Sequence, residues 1–142
     1  MAHMTNEQAL AFIAAVPRTA KLATVRKDGR PHVIPVWVDV DDERRIVFNA
    51  GEDSLHLKAI RRDPRVALCL DDDDPPFSFV TVAGTAELVD DLAVVREWAA
   101  RLGGRYMGAD QAEAYGERNG VPGEYLVRVT PDRITGFRDI AT

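Results

Sequence analysis

Cysteine is almost absent from this 142-residue chain. Cys69 stands alone, so no internal disulfide can form, and inside a β-rich run it reads as a small buried hydrophobe. Histidine is scarce too, with three in all. His3 falls in the opening Met1-Ala2-His3-Met4, which reads as a cloning scar and a disordered start over residues 1–4. His32 and His56 alone spell out no zinc site. No apolar run approaches the roughly 20 residues that a membrane span needs, and no basic segment leads into an apolar one as in a signal peptide. A basic excess is missing as well. The formal net charge of −5 argues against nucleic acid as a main partner, because no surplus of cations exists to neutralise phosphates. These absences predict a cytoplasmic protein of a bacterium-like cell with no membrane partner. The apolar share of 46% and charged share of 29% are ordinary for a globular chain, and the length allows one domain, residues 5–142.

The pattern that is present favours strands. Thr5 with Gln8 three residues on predicts a capped helix whose apolar stripe is Ala9, Leu10, Phe12, Ile13 and Val16, ended by Pro17. Lys21–Arg26 and His32–Val40 flank Asp28-Gly29, a hairpin signal. Asp41-Asp42-Glu43 turns into a strand over Arg45–Asn49. Asp53 or Ser54 caps a short helix, Leu55–Arg62, ended by Asp63-Pro64. Arg65–Leu70 is a strand, Asp71–Asp74 with two prolines an acidic loop, and Phe77–Val89 a long strand with a bulge expected at Gly84. Asp90 or Asp91 caps a helix from Leu92 to Tyr106, and 108–120 reads as a helical excursion. Tyr125–Thr130 and Arg133–Phe137 close the sheet as a hairpin around Pro131-Asp132. Six or seven strands in sequential hairpins predict a mainly β antiparallel barrel with a few helices.

The second strand is apolar on both faces. Val33, Pro35 and Trp37 point one way, and Ile34, Val36 and Val38 the other. A small barrel has one interior, so the outer face needs a helix, a partner subunit or a flat ligand over it. Pro35 removes a ladder donor and suits an edge.

The order Leu22-Ala23-Thr24-Val25-Arg26, then Asp28-Gly29-Arg30-Pro31-His32-Val33, then Ile60-Arg61-Arg62-Asp63-Pro64-Arg65-Val66 resembles the pyridoxamine-phosphate-oxidase-like split β-barrel superfamily. Val82–Leu88, Arg105-Tyr106-Met107-Gly108 and Val127-Arg128-Val129-Thr130-Pro131 fit the same pattern. Within it the chain is most similar to the actinobacterial flavin/deazaflavin oxidoreductases that use coenzyme F420. The resemblance implies a homodimer with two interface sites. It implies a cofactor ring along His32, Val33, Pro35, Val36 and Trp37, and a phosphate near Asn49, Ser54, His56 and Lys58. Phe77 and Phe79 would come from the other subunit. His56 stands where relatives often carry Lys, and an imidazole is mostly neutral at pH 7.

Each residue also has a plainer reading. Lys58 alone is a solvated charge, Trp37 a core aromatic, and Phe77 and Phe79 one face of a strand. Arg61, Arg62 and Arg65 either steer an anionic cofactor tail or pair with Asp71–Asp74. No catalytic side chain is identifiable and no metal site is expected, which agrees with a reaction carried by a cofactor. The expected activity is hydride transfer from the reduced deazaflavin to an electron-poor small organic substrate. The alternatives are an FMN-dependent oxidase or reductase, and a non-enzymatic flavin, deazaflavin or haem binder.

Overall fold

Thr5 caps the first helix, α1 (Asn6–Ala15), as its sequence predicts. Its hydroxyl accepts from the Gln8 N–H at 3.1 Å, and the Gln8 side chain takes the Thr5 N–H at 2.9 Å. In the computed structural model, which describes residues 2–142, α1 buries Ala9, Leu10 and Ile13 against the sheet. The strands are β1 (Ala2–His3), β2 (Thr19–Val25), β3 (Pro31–Trp37), β4 (Asp39–Val40), β5 (Ile46–Gly51), β6 (Arg65–Asp71), β7 (Phe79–Val89) and β8 (Glu124–Arg138). Between them lie α2 (Leu55–Arg62), α3 (Leu92–Met107), a single 3₁₀ turn at Ala109–Gln111, and α4 (Ala112–Asn119).

All pairings are antiparallel, in the order β3-β2-β6-β7-β8-β5-β4, with β1 added to the far end of β8. The sheet curls around a core that includes Leu22, Phe48, Leu57, Leu68, Val80, Val82, Val127 and Val129. This is the expected mainly β split barrel. A second cluster, Val47, Val95, Trp98 and Leu126, seats α3 on the outside of β5 and β8.

The barrel closes by a change of partner. Residues 31–37 pair with β2, whereas Asp39 and Val40 pair with Val47 and Ile46 of β5. The corner between them is Val38, fully buried. Its N–H donates to the Tyr106 hydroxyl at 3.0 Å, and that hydroxyl donates to the Arg18 carbonyl at 2.5 Å. The Tyr106 ring stacks on Trp37 with centroids 5.1 Å apart and planes 5° apart. Next to it, Arg105 donates to the carbonyls of Ile13, Ala14 and Val16, capping the C-terminal end of α1. Two neighbouring residues of α3 thus hold the first helix and the corner together.

Several expectations need correcting. The closing hairpin is absent, because β8 runs unbroken from Glu124 to Arg138. The register shift falls between Ala83 and Gly84, which pair with Arg133 and Pro131, so Asp132 is the extra residue of a bulge. Pro131-Asp132 therefore marks an irregularity inside a strand, and the Asp132 carboxylate is used by the Thr85 hydroxyl at 2.9 Å. The expected bulge at Gly84 is there. Phe77 is outside β7, in a turn with φ of 60°, so it does not share a strand face with Phe79. Cys69 is half-buried rather than buried, since it points to the outer face of β6. Near the start, Ala2 and His3 pair with Arg138 and Phe137 and the Met4 N–H donates to the Gly136 carbonyl. Met1, the remainder of the expected disordered start, lies outside the described residues.

Two predictions follow from the corner and the bulge. Tyr106→Phe keeps the stacked ring but strands the buried Val38 N–H, so stability falls by about 1–3 kcal/mol. Urea denaturation with an unchanged m value checks this, and a loss under about 0.5 kcal/mol contradicts it. A β-carbon on Gly84 would stand 2.5 Å from the Thr130 carbonyl oxygen, a backbone atom that cannot swing aside. Gly84→Ala accordingly lowers Tm by roughly 3–10 °C, and an unchanged Tm shows that the bulge can open.

Candidate functional site

Closing the barrel by a change of partner leaves a gap. The edge of β3 away from β2 has no strand partner, and beyond Val47 neither does the edge of β5 away from β8. These two strands approach one another without a ladder. Between them opens a cleft of about 430 Å³. β3 contributes Ile34, Pro35, Val36 and Trp37, and β5 contributes Asn49, Ala50 and Gly51. His56 comes from α2, Ala99 and Leu102 from α3, Asn119 from α4, and Glu124 from the start of β8. The lining is mainly apolar and contains neither lysine nor arginine. Such a cleft suits a flat, largely uncharged ring system whose polar edge meets a few amides and free backbone groups.

Both titratable groups of the lining are displaced. Burial pushes the His56 imidazole below its ordinary value, and nearby His32 adds to the effect by disfavouring a second positive charge. Burial pushes the Glu124 carboxyl upward. The His32 Nδ1 is buried and has no hydrogen-bond partner among the described residues.

α2 separates the cleft from a second hollow. The Ser54 hydroxyl accepts from the Leu57 N–H at 3.2 Å and donates to the Gly51 carbonyl at 2.7 Å, so its proton is committed to capping. Downstream of the cap, successive side chains turn by about 100°. His56 faces the cleft, whereas Leu55, Lys58 and Arg62 face a groove of about 500 Å³ shared with Arg26, Lys27 and Asp28 of the β2–β3 hairpin. Four of these six residues are basic.

The expected site residues therefore divide. Pro35, Val36, Trp37, Asn49 and His56 meet at the cleft, with His32 close to His56. Lys58 lies on the groove side of α2, and Ser54 sits at the helix start between the two. Val33 points to the outer face of the sheet and is 60% exposed. Phe77 is exposed in its turn, and Phe79 is half-buried against Phe137 with centroids 5.5 Å apart. Neither phenylalanine lines the cleft of its own chain. The three arginines do not act together. Arg65 is tied to Asp63 at 2.7 Å, holding that carboxyl down to about 2, and the Arg61 guanidinium lies 4.9 Å over the Tyr125 ring. The acidic loop instead pairs with Arg18 and Lys21, through Asp72 and Asp71. The sequence reading missed Glu124, Asn119, Ala99 and Leu102, which reach the cleft only through the packing of α3 and α4 and the β5–β8 register.

Among the described residues no helix is long and apolar enough to cross a membrane. Among the described residues no cluster of three or more metal-ligating side chains occurs.

Comparison with known proteins agrees with this architecture. A conserved hypothetical protein of Mycobacterium tuberculosis superposes with a TM-score of 0.83 at 26% identity, covering 98% of this chain and 89% of that one. A solved F420 reductase gives 0.69 at 26% identity, over 87% of this chain and 94% of its own. A curated 5a,11a-dehydrotetracycline/5a,11a-dehydrooxytetracycline reductase of Streptomyces rimosus is 34% identical over 74 residues, 47% of this chain. The matched stretch spans about half, 52%, of that reductase. The family model for pyridoxamine 5'-phosphate oxidase matches residues 5–137, and over that length, nearly end to end, the chain belongs to the pyridoxamine 5'-phosphate oxidase family.

Proposed function

We propose that the cleft between β3 and β5 receives the ring of a flavin-type cofactor, with coenzyme F420 favoured over FMN, and that the protein is a reductase for electron-poor small organic molecules. The observation that carries this reading is the division made by α2, with an apolar cleft free of lysine and arginine on one side and a groove lined by Arg26, Lys27, Lys58 and Arg62 on the other. The residues fit such a cofactor. A flat tricyclic ring matches the cleft, and its ribityl chain would pass over the start of α2, whose helix dipole favours an anion. The phosphate and the anionic tail would then meet the groove. FMN ends at its phosphate, whereas the deazaflavin continues into a lactyl group and several glutamates, so the deazaflavin brings more negative charge to the four cations. The relatives support a reductase: one solved neighbour is an F420 reductase, and the curated relative from Streptomyces rimosus is a reductase.

When bound, the reduced cofactor supplies the hydride. The chain's residues orient and shield. Trp37, Ile34 and Val36 form an apolar wall, and Asn49 and Asn119 offer amides to polar edges. Ala99 and Leu102 of α3 narrow the opposite side and exclude water from the reacting face.

A homodimer belongs to this reading. Trp37 is covered by Tyr106, but the outer-face row Val33, Ala23, Ala67 and Ala83 has no covering element in the chain, and Val33 and Val25 are 60% and 44% exposed. A second subunit would cover this row and bring the exposed Phe77 toward its partner's cleft.

Two outcomes are expected. Lys58→Ala weakens deazaflavin binding by one to two decades, the value of a charge-assisted contact of about 1.5–3 kcal/mol. Arg65→Ala changes it little, because Arg65 is occupied by Asp63. Fluorescence titrations at low and high salt check this, with the preference for the deazaflavin over FMN shrinking as salt rises. Equal affinity for the two cofactors at low salt favours the FMN-dependent alternative. Val33→Asp places a charge in the apolar row and converts the dimer to a folded monomer in size-exclusion chromatography with light scattering. A wild-type monomer at micromolar concentration overturns the dimer.

A further inference from the structure

Glu124, the first residue of β8, stands opposite Gly51 in the β5–β8 register. With no side chain on Gly51, the carboxyl can lie over the glycine: a β-carbon built there would stand 3.1 Å from Glu124 Oε1. The carboxyl thereby reaches the cleft. Among the described residues its side chain has neither an ion-pair nor a hydrogen-bond partner. A partly buried carboxylate without a partner costs folding free energy, and groups kept at such a cost concentrate at functional sites.

Its surroundings set its proton. Burial, with no cation or donor to oppose it, pushes the carboxyl upward from its ordinary value. The other titratable group of the lining, His56 on α2, is driven toward its neutral form. The side chain of Glu52, after β5, lies near Gly123. The residues that face the cleft from α3 and α4, namely Ala99, Leu102 and Asn119, are uncharged. Of the two titratable groups that line the cleft, Glu124 is the one whose acid form carries a readily transferable proton, because an imidazole kept neutral has none to give.

We propose that Glu124 is the proton donor of the reaction carried out in this cleft. The assignment rests on the reductase reading above. The substrate class is an alkene conjugated to a carbonyl. Hydride from the reduced deazaflavin forms a C–H bond at the β-carbon, the π bond breaks, and its electron pair passes to the carbonyl as an enolate. The Glu124 Oε–H then gives its proton to the α-carbon, and the carboxylate left behind is reprotonated by water. The alkene is reduced and the deazaflavin oxidised. Because the protonated acid is required, the rate falls as pH rises through the raised pKa of Glu124.

Glu124→Gln tests this, since the amide preserves shape and cannot supply the proton. Carbon-13 NMR of the wild-type protein should find the Glu124 carboxyl, identified by its loss in E124Q, titrating above the ordinary glutamate range. E124Q should bind the deazaflavin within about twofold of wild type, with Tm close to that of wild type at neutral pH. Two acceptors then separate the roles. An α,β-unsaturated ketone needs a proton, and its reduction should slow by roughly 10²-fold or more and lose the fall with rising pH. An N-methylacridinium cation becomes neutral on taking hydride and needs no proton, so its reduction should be unchanged. Equal slowing of both acceptors reduces Glu124 to a structural residue. An unaffected ketone rate, or a carboxyl titrating at the ordinary value, overturns the proposal. A wild-type protein that binds the deazaflavin but reduces neither acceptor defeats the reductase reading itself, and the proposal with it.

Discussion

The Val38 N–H donated to the Tyr106 hydroxyl is the contact on which the site depends. One strand cannot pair along its whole length with both β2 and β5, so the chain must turn out of one ladder before entering the other. That turn leaves a buried N–H with no strand to receive it. Tyr106 accepts it from a helix on the outside of the barrel, and the same ring supports Trp37 at the mouth of the gap. The cost of closing the barrel this way is two unpaired strand edges. Those edges are the walls of the cleft, so the feature that completes the fold also creates the binding surface.

α2 then decides the electrostatics. It is only eight residues long, yet its angular step sends His56 to one side and Lys58 to the other. The cleft keeps its low polarity because the cations are placed behind the helix. A ligand with a neutral ring and a charged tail meets both environments by crossing the helix start. Lysine at position 56 would place a cation in the cleft. Histidine held neutral by burial and by His32 keeps the ring side uncharged.

Much of this was legible in the sequence, for identifiable reasons. The capping box at Thr5, the Ser54 cap, the Asp28-Gly29 hairpin and the Gly84 bulge are local signals, and each depends on a few adjacent residues. The doubly apolar β3 announced that something must cover its outer face. Pro131-Asp132 misled because proline followed by aspartate is good turn chemistry, and only the facing Gly84 shows that it serves a bulge. His56 and Lys58 fall in different hollows for a reason of helical angle: residues two apart point to opposite sides. Glu124 could not have been found from its neighbours in sequence, since its position over Gly51 comes from a register between strands 73 residues apart by their numbers (124 − 51). The role of Tyr106 in the corner is likewise non-local, joining α3 to residues 18 and 38.

The central claim is that the ring and the anionic part of one ligand lie on opposite sides of α2. The most direct measurement is amide chemical-shift mapping of the labelled protein with riboflavin, which has the ring without the phosphate, and then with the deazaflavin. Riboflavin should perturb Val36, Trp37, Asn49 and His56 while leaving Arg26, Lys27, Lys58 and Arg62 unmoved. The deazaflavin should perturb both sets. Perturbations by riboflavin centred on the Lys58 groove, or by the deazaflavin confined to the cleft, would contradict the account.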